Sequence, residues 1–378
     1  MSSLVTQLKS DEMLLNMGPQ HPSTHGVLRF ILKTDGEIVT ACEPDVGFLH
    51  RSIEKICEKC DYPGFMPYTD RVDYLAAMNA NHAYALAVER LAGIEVPRRA
   101  QVIRVITDEL NRIICHGAIG VGALGMDLGA ATPFLHAMRE RETVNDIIEE
   151  LCGARLTYNY VRIGGVWFDL PDGFVEKVTA FLNHFELAWE EINRLLTDSV
   201  IFRTRLMNVG TITAGDAVSY GLVGPVLRAT GIKRDVRRDQ PYAIYPELEF
   251  DIPVGTGTFG TLGDCFDRHL VRVEEVRQSV KIVRQCLKLL EPGPVIAKVP
   301  KNIKPPAWAD VYSAVEAPRG EMGFYLMSNG TGKAHRCKIR TGSFAAMSII
   351  SRMAPGMMIA DLVAFIASLD VVAPEIDR

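Results

Sequence analysis

Long segments with apolar residues every three to four positions constrain the fold of this 378-residue chain more than any other feature. Such spacing places the apolar side chains on one face of a helix, which must then pack against a partner. It predicts long helices over about 70–91, 98–123, 133–151, 172–196 and 260–290. The sequence therefore predicts a bundle of long helices whose Leu, Met and aromatic residues line a common core.

Shorter β-rich runs flank these helices at both ends of the chain. Strands are predicted at 13–17 and within 26–44, where Asp35-Gly36 favours a hairpin, and later at 311–315, 323–327 and 336–340. A final helix is predicted over 358–369. The expected fold class is α+β: a long-helix body with small β elements at the N- and C-terminal ends.

We divide this expected fold into three parts. A β-rich N-terminal segment spans 1–60 and the helical body spans 61–294. The remaining residues, 295–378, form an exposed Pro- and Lys-rich connector (295–309) and a C-terminal β/α segment.

Composition and charge exclude several classes of protein. Hydrophobic residues make up 48% and charged residues 23% of the chain, and the net charge of -5 argues against binding of nucleic acid. The most apolar window, 113–134, contains His116 and Asp127, so it predicts a buried helix pair broken near Gly125 rather than a membrane span. The first nine residues lack an apolar run, so no secretory signal is expected.

Neither the glycines nor the cysteines form a recognisable cofactor motif. The glycine-rich run at 255–260 follows no buried strand and predicts a flexible loop rather than a nucleotide site. The eight cysteines are scattered, which is typical of a reducing cytoplasm. Cys57 and Cys60 form a CxxC without a second pair, which favours two thiols on one helix face over a metal site.

The run GPQHPSTHG at 18–26 places two histidines in a loop whose Gly and Pro residues fix its shape. Histidine is the side chain that titrates near neutral pH, so this loop is a candidate for delivering protons. A turn with two polar side chains is the alternative. His25 is the stronger candidate for chemistry, and His21 is expected to shape the loop.

Ten blocks, in order along nearly the whole chain, carry a resemblance to one family. They are NMGPQHPSTHGVLR (16–29), GFLHR (47–51), DRVDY (70–74), MDLGA (126–130), RERE (139–142), RIGGV (162–166), PGP (292–294), RGE (319–321), SLD (368–370) and IDR (376–378). The chain resembles the family of D-type subunits of the proton-pumping NADH–quinone oxidoreductases, respiratory complex I.

The family is similar in fold to the large subunits of nickel–iron hydrogenases, in which two CxxC pairs hold the metal. The corresponding positions here are Asp73, Ala76, Val372 and Glu375, none of which is a thiolate. The resemblance therefore implies a hydrogenase-large-subunit-like fold with no metal or other cofactor on this chain. Membership of a membrane-bound hydrogenase-type complex is the alternative function, and the missing thiolates argue against it. A scaffold that only joins other proteins of a complex is a third possibility.

The resemblance also implies quinone as the substrate. Tyr74 and His25 would bind the two ends of the head group, and Asp127 would orient His25 and stabilise its charge. Quinone reduction takes two electrons and two protons, so hydrogen-bond donors at both carbonyls suit the chemistry. The alternatives are an interface tyrosine with a satisfied hydroxyl for Tyr74 and a helix cap for Asp127.

Partners follow from the same resemblance. Arg71 and Arg162 would lie near the [4Fe–4S] cluster of an adjacent small subunit, or would form structural ion pairs. A neighbouring C-type subunit and the quinone-channel membrane subunit are further expected partners, at the cytoplasmic face of a bacterial inner membrane. This chain has Thr157 where the family commonly has a histidine near the cluster, and its 295–309 region is shorter than usual.

Overall fold

The structure is a computed structural model that describes residues 12–21 and 26–378. Its three small antiparallel sheets are built from the strands β1 Met13–Met17, β2 Arg29–Asp35, β3 Ile38–Asp45, β4 Val161–Arg162, β5 Gly165–Val166, β6 Ala307–Ala317, β7 Gly320–Asn329 and β8 Ala334–Arg340. Their orders are β1-β2-β3, β4-β5 and β6-β7-β8. The mixture of helices and small sheets confirms the α+β prediction, while the likeness to hydrogenases stays a prediction.

Helices supply most of the remaining regular structure. In chain order they are α1 Ile53–Cys57, α2 Tyr62–Thr69, α3 Ala77–Ala92, α4 Arg98–Ile114, α5 Leu124–Asp127, α6 Ala131–Cys152, α7 Phe174–Thr197, α8 Val200–Leu206, α9 Ala214–Ser219, α10 Gly224–Arg228, α11 Val236–Asp239, α12 Cys265–Lys288, α13 Gly342–Ser348, α14 Ile350–Met353, α15 Ile359–Leu369 and α16 Ala373–Asp377. A π-helical segment, Cys115–Ala123, joins α4 to α5, and a 3₁₀ turn spans Tyr245–Glu247.

The long helices form the body around which the sheets pack. Helix α4 and the π-helical segment run against α12, and α6 packs on α7. Helix α3 lies against β6 and β7 of the C-terminal sheet, which links the two ends of the chain. No helix within residues 12–21 and 26–378 is long and apolar enough to cross a membrane.

Two predicted boundaries are wrong. Helix α3 begins at Ala77 and not at residue 70, because the preceding residues form turns. The helical path through the apolar window continues past Gly125 to Asp127 and breaks at 128–130, where Gly129 takes a positive φ. The 255–260 run forms no helix or strand, as predicted for a loop, and its first residue is closely packed, since a Cβ on Gly255 would lie 2.0 Å from the carbonyl oxygen of Ala229.

The connector is largely exposed, as predicted, but two points hold it to the body. Ile303 is buried, and Gly165 forms an isolated antiparallel bridge with Ile296 beside the β4–β5 hairpin. The hairpin prediction at Asp35-Gly36 is confirmed, because β2 and β3 pair directly on either side of it. Gly36 there takes φ +56, a conformation that favours glycine in tight hairpin turns.

Candidate functional site

A buried ion cluster lies directly beneath Tyr74. Arg319 Nη1 donates to Asp73 Oδ2 at 2.9 Å, and Arg319 Nη2 donates to Asp370 Oδ1 at 3.0 Å. All three side chains are at most 2% exposed. Buried charges persist only where they are paired and hydrogen-bonded, so these contacts fix three distant segments of chain against one another.

The turn that carries Tyr74 is held by the same cluster. Asp73 Oδ1 accepts hydrogen bonds from the backbone N–H of Leu75 at 3.1 Å and of Ala76 at 3.3 Å. These bonds satisfy backbone donors just before α3 begins, as a capping carboxylate does. Tyr74 therefore projects from a fixed turn, half-buried, and not from the helix face that its spacing predicted.

The electrostatic surroundings of Tyr74 act in opposite directions. Burial raises the pKa of the Tyr74 phenol above its usual value, and the nearby Asp73 and Cys115 raise it further, while Arg319 lowers it. The net direction is upward, so the phenol keeps its proton at neutral pH. A half-buried, protonated phenol can donate a hydrogen bond to a bound acceptor.

The Gly26 end of the histidine loop lies near this cluster. Its residue His25 lies outside the described residues, as do its neighbours 22–24. His21 is exposed, and its backbone bridges to Gly26 and closes the loop. A Cβ built on Gly26 would lie 3.3 Å from Cβ of Ala373, so this end of the loop packs on α16, three residues after Asp370.

The π-helical segment lines another side of the cluster and leads to Asp127. Cys115 accepts a hydrogen bond from Arg319 Nη1 at 3.3 Å, and a Cβ on Gly120 would lie 2.7 Å from Arg272 Cδ. Asp127 is the last residue of α5 and is half-buried. It is not the N-cap of α6, because that position is Ala130.

Arg71 and Arg162 meet at a second polar group, the carboxyl of Asp70. Arg71 Nη1 lies 3.8 Å from Asp70 Oδ2, and the backbone N–H of Asn159 donates to Asp70 Oδ1 at 3.3 Å. Arg162 Nη1 donates to the side chain of Asn159 at 2.9 Å. Both arginines therefore lie near the same buried carboxyl group, and their predicted position beside an adjacent [4Fe–4S] subunit stays a prediction.

Burial dominates the electrostatics of this second group. Asp70 is fully buried, which raises the pKa of its carboxyl to about 7 although Arg71 and Arg162 lower it. Burial also lowers the pKa of Arg162, whose guanidinium carbon lies 4.1 Å from the centre of the exposed Trp167 ring. Thr157 is partly buried two residues before Asn159 and offers no titrating group there.

A cleft opens beside Arg71. It has a volume of about 570 Å³ and is lined by Arg51, Ile53, Ile56, Gly64, Pro67, Tyr68 and Arg71. Cys57, which follows Ile56, is buried, and Cys60 lies beyond the end of α1, so the two thiols do not share a helix face as predicted. No group of three or more potential metal-ligating side chains occurs in the part of the chain that the structure describes.

Sequence reasoning missed the residues that hold the cluster together. Arg319, Asp370 and Arg272 are all buried, and the buried Glu375 follows Asp370 in α16. Arg319, Asp370 and Glu375 were named only within motifs or at family positions, and Arg272 was not named. One signal could have found two of them: Asp370 and Glu375 interrupt an otherwise apolar run at the end of the chain. A charged residue in such a run is buried with a partner.

Comparison with known proteins gives one consistent result. A sequence model of the family described as respiratory-chain NADH dehydrogenase, 49 Kd subunit, matches residues 127–378. The chain is 58% identical over 371 residues to the second D-type subunit of the NADH-quinone oxidoreductase of Sorangium cellulosum (strain So ce56), covering 97% of this chain and 95% of the relative.

Two further relatives agree. The first D-type subunit of the NADH-quinone oxidoreductase of Anaeromyxobacter sp. (strain K) is 59% identical over 370 residues, which is 98% of this chain and 97% of the relative. The D-type subunit of the same kind of enzyme from Chlorobium luteolum (strain DSM 273 / BCRC 81028 / 2530) is 48% identical over 375 residues, covering 98% and 94%.

Proposed function

Because this chain belongs to the family of the 49 kDa subunit of respiratory-chain NADH dehydrogenase, we propose that it forms one wall of the site where quinone is reduced. It is a subunit of an oxidoreductase complex, NADH-quinone oxidoreductase. In the proposed site Tyr74 donates a hydrogen bond to one quinone carbonyl and His25 donates to the other. In this proposal the redox cofactors are held by other subunits of the complex.

One observation supports this proposal: Gly26, the residue after His25, packs near the chain segment that Arg319 joins to the turn carrying Tyr74. Arg319 binds Asp73, the residue before Tyr74, and Asp370, which leads into α16. The Gly26 end of the histidine loop packs on Ala373 of that helix. Asp73, the residue before Tyr74, and Gly26, the residue after His25, thus lie on segments that are linked through Arg319.

The chemistry follows from the residue types. As electrons reach the quinone, its oxygens become more basic and take protons from the groups that hydrogen-bond to them. Tyr74 can supply one proton from its phenol and His25 another as an imidazolium. Asp127 stabilises the charge of His25 in this proposal, and the π-helical segment that precedes Asp127 lines the same cluster.

In this proposal electrons enter from the side of the molecule that carries Asp70, Arg71 and Arg162. Arg71 and Arg162 place two cations around Asp70 on a surface that also exposes Trp167. We assign this surface to the adjacent small subunit that holds a [4Fe–4S] cluster, where fixed positive charge stabilises the reduced cluster. The C-type subunit and the quinone-channel membrane subunit complete the site, which couples quinone reduction to the membrane arm from the cytoplasmic face.

The test uses the assembled complex with single substitutions in this chain. Tyr74→Phe and His25→Ala should each lower quinone reduction by about 10²-fold or more, the usual scale for loss of a general acid. NADH oxidation with an artificial acceptor should stay at the wild-type rate, because the electron entry site is untouched. Tyr220→Phe, the same chemical change at a half-buried tyrosine after α9, is the matched control.

Two outcomes would contradict the proposal. Unchanged quinone reduction in both variants would show that the chain only joins the other proteins of the complex. A parallel loss of both activities would show that the substitutions disturb assembly rather than substrate chemistry.

A further inference from the structure

Three exposed cations from two distant parts of the chain form one surface between α1 and β8. They are Lys55, Arg336 and Lys338, and we call this surface the basic face. We propose that the basic face binds an acidic segment of a neighbouring subunit of the complex. The inference needs only membership of the complex and not the quinone chemistry, in which none of these side chains takes part.

The local structure brings the three cations together. Side chains alternate between the two faces of a strand, so Arg336 and Lys338 share one face of β8 while Cys337 between them is buried. Helix α1 packs against this strand, and the backbone N–H of Ile339 donates to Glu54 Oε1 at 3.0 Å. Lys55 follows Glu54 directly, so it lies beside the two cations of the strand.

The carboxylates that pair with these cations lie beneath them. Glu58 accepts hydrogen bonds from Lys55 and from Arg336 Nη1 at 3.2 Å, and Glu54 Oε2 accepts one from Lys338 Nζ at 2.8 Å. The two glutamate side chains are 8% and 20% exposed, whereas those of the three cations are 49–64% exposed. A partner that approaches this surface therefore meets the ammonium and guanidinium groups first.

This arrangement differs from an ion pair whose two charges both face the solvent. At Lys177 and Glu150, for example, the side chains are 49% and 48% exposed, so that pair presents both charges to a partner. The basic face presents positive charge although the whole chain carries a net charge of -5. Protein interfaces match surfaces of opposite potential, so the complementary partner surface is acidic.

The buried glutamates also fix the cations in place. Burial raises the pKa of Glu58, and Lys55 and Arg336 lower it by more, so the net direction is downward and Glu58 is ionised at neutral pH. Ammonium and guanidinium groups carry several N–H donors, and the contacts with Glu58 and Glu54 leave donors of each cation unused within the described residues. Donors held in position can bind a carboxylate with little further loss of side-chain entropy.

A neighbouring pocket favours a protein segment over a lone anion. The pocket has a volume of about 320 Å³, and Arg378 forms one of its walls. The guanidinium carbon of Arg378 lies 4.5 Å from the centre of the Phe344 ring, and Phe344 is 49% exposed. Asp377 also borders the pocket, but its carboxylate accepts two backbone N–H groups. Exposed aromatic and arginine side chains together are typical of protein–protein interfaces, where they contact apolar as well as acidic groups.

Cross-linking of the purified, intact complex tests the contact directly. A water-soluble carbodiimide joins a lysine amine to a carboxylate that touches it, with loss of water and without a spacer. Lys55 and Lys338 should each be joined to an aspartate or glutamate of another subunit, as identified by mass spectrometry of the linked peptides. Lys177, the exposed lysine that pairs with Glu150, is the matched control and should be joined only within this chain.

A variant without two of the charges gives a second measurement. In the double variant Lys55→Gln and Lys338→Gln, this chain should leave the complex at a lower NaCl concentration than in wild type, because the attraction is weaker. Its retention should also depend less on salt, since fewer exposed charges remain to be screened. Lys177→Gln should give the wild-type curve.

The double variant should still fold. Glu58 keeps its contact with Arg336, and Glu54 keeps Arg378 at 3.6 Å and the N–H of Ile339. Exposed lysines contribute little to stability, so the urea midpoint of the full chain should stay close to that of wild type. Loss of retention with an unchanged midpoint then reports docking and not folding.

Three results would overturn the proposal. The first is cross-linking of Lys55 and Lys338 only to Glu58 and Glu54 in the intact complex. The second is a salt curve of the double variant that superimposes on that of wild type. The third is binding of the wild-type chain, but not the variant, to vesicles of anionic phospholipid without any cross-link between subunits, which would assign the basic face to a membrane. Tyr74→Phe tests the quinone site separately and does not affect this surface.

Discussion

Arg319 and Asp73 form a buried ion pair, with 2.9 Å between Nη1 and Oδ2, that ties the hairpin turn after β6 to the turn that carries Tyr74. The strands β6 and β7 pair up to Ala317 and Gly320, so Arg319 lies at the tip of a two-residue turn. Hairpin tips are usually exposed, whereas Arg319 is buried. The hairpin thus places the Arg319 guanidinium in the centre of the proposed site.

Replacing Arg319 should strongly destabilise the chain. Arg319→Met leaves the carboxylates of Asp73 and Asp370 buried without their cation, at a cost of about 3–5 kcal/mol in the free energy of unfolding. Urea denaturation of the full chain measures this change. Arg352→Met is the control, because Arg352 pairs with Asp216 at the surface with 59% of its side chain exposed, and it should cost less than about 1 kcal/mol. Equal effects of the two substitutions would contradict a stabilising role for the buried ion pairs of Arg319.

Asp70 should make the stability of the chain depend on pH in a defined direction. Its pKa is about 7 in the folded chain and about 3.9 when unfolded, so between these values the folded state binds more protons. Stability contributed by this group is therefore present at low pH and lost as pH rises from about 4 to 7.

The variant Asp70→Asn isolates that effect, since all other titrating groups cancel in the comparison. The variant should gain stability relative to wild type as pH rises, by on the order of 4 kcal/mol between pH 4 and 8. Urea denaturation at a series of pH values measures the difference. A difference that is constant with pH would show that the buried carboxyl does not titrate in this range.

Gly18, at the start of the histidine loop, should not tolerate replacement by a residue with a side chain. This glycine has φ +93, and a Cβ would lie 2.0 Å from the carbonyl oxygen of Leu28. Gly18→Ala should cost roughly 2–4 kcal/mol of unfolding free energy, as strained and overpacked sites do. Gly36→Ala, at φ +56 with no atom within 4 Å, carries only the conformational cost of about 1 kcal/mol. Similar losses in both would contradict the close packing at Gly18.

The sequence predicted the helices well because their apolar spacing directly reflects burial. Helix α6 at Ala131–Cys152 and α15 at Ile359–Leu369 lie within two residues of their predicted ends. The predicted start of α3 was wrong because the Asp73 carboxylate accepts hydrogen bonds from the backbone N–H groups of Leu75 and Ala76. These bonds hold the residues before Ala77 in a turn. Apolar spacing carries no information about a side chain that bonds to nearby backbone groups.

The candidate site was predictable only where a motif marked it. Tyr74, Arg71 and Arg162 lie in blocks that carry the family resemblance, and the two arginines do meet around one carboxyl group. Arg319 and Asp370 come from the other end of the chain and reach the site through tertiary packing alone. Their roles depend on which buried charges face each other, which a linear pattern does not encode.

The most direct test of the central claim is the structure of the assembled complex with quinone bound. The proposed function predicts one quinone carbonyl oxygen within hydrogen-bonding distance of the Tyr74 hydroxyl, about 2.5–3.0 Å, with the other facing the loop at 18–26. A head group bound in the cleft beside Arg71, or anywhere out of reach of the Tyr74 hydroxyl, would contradict it.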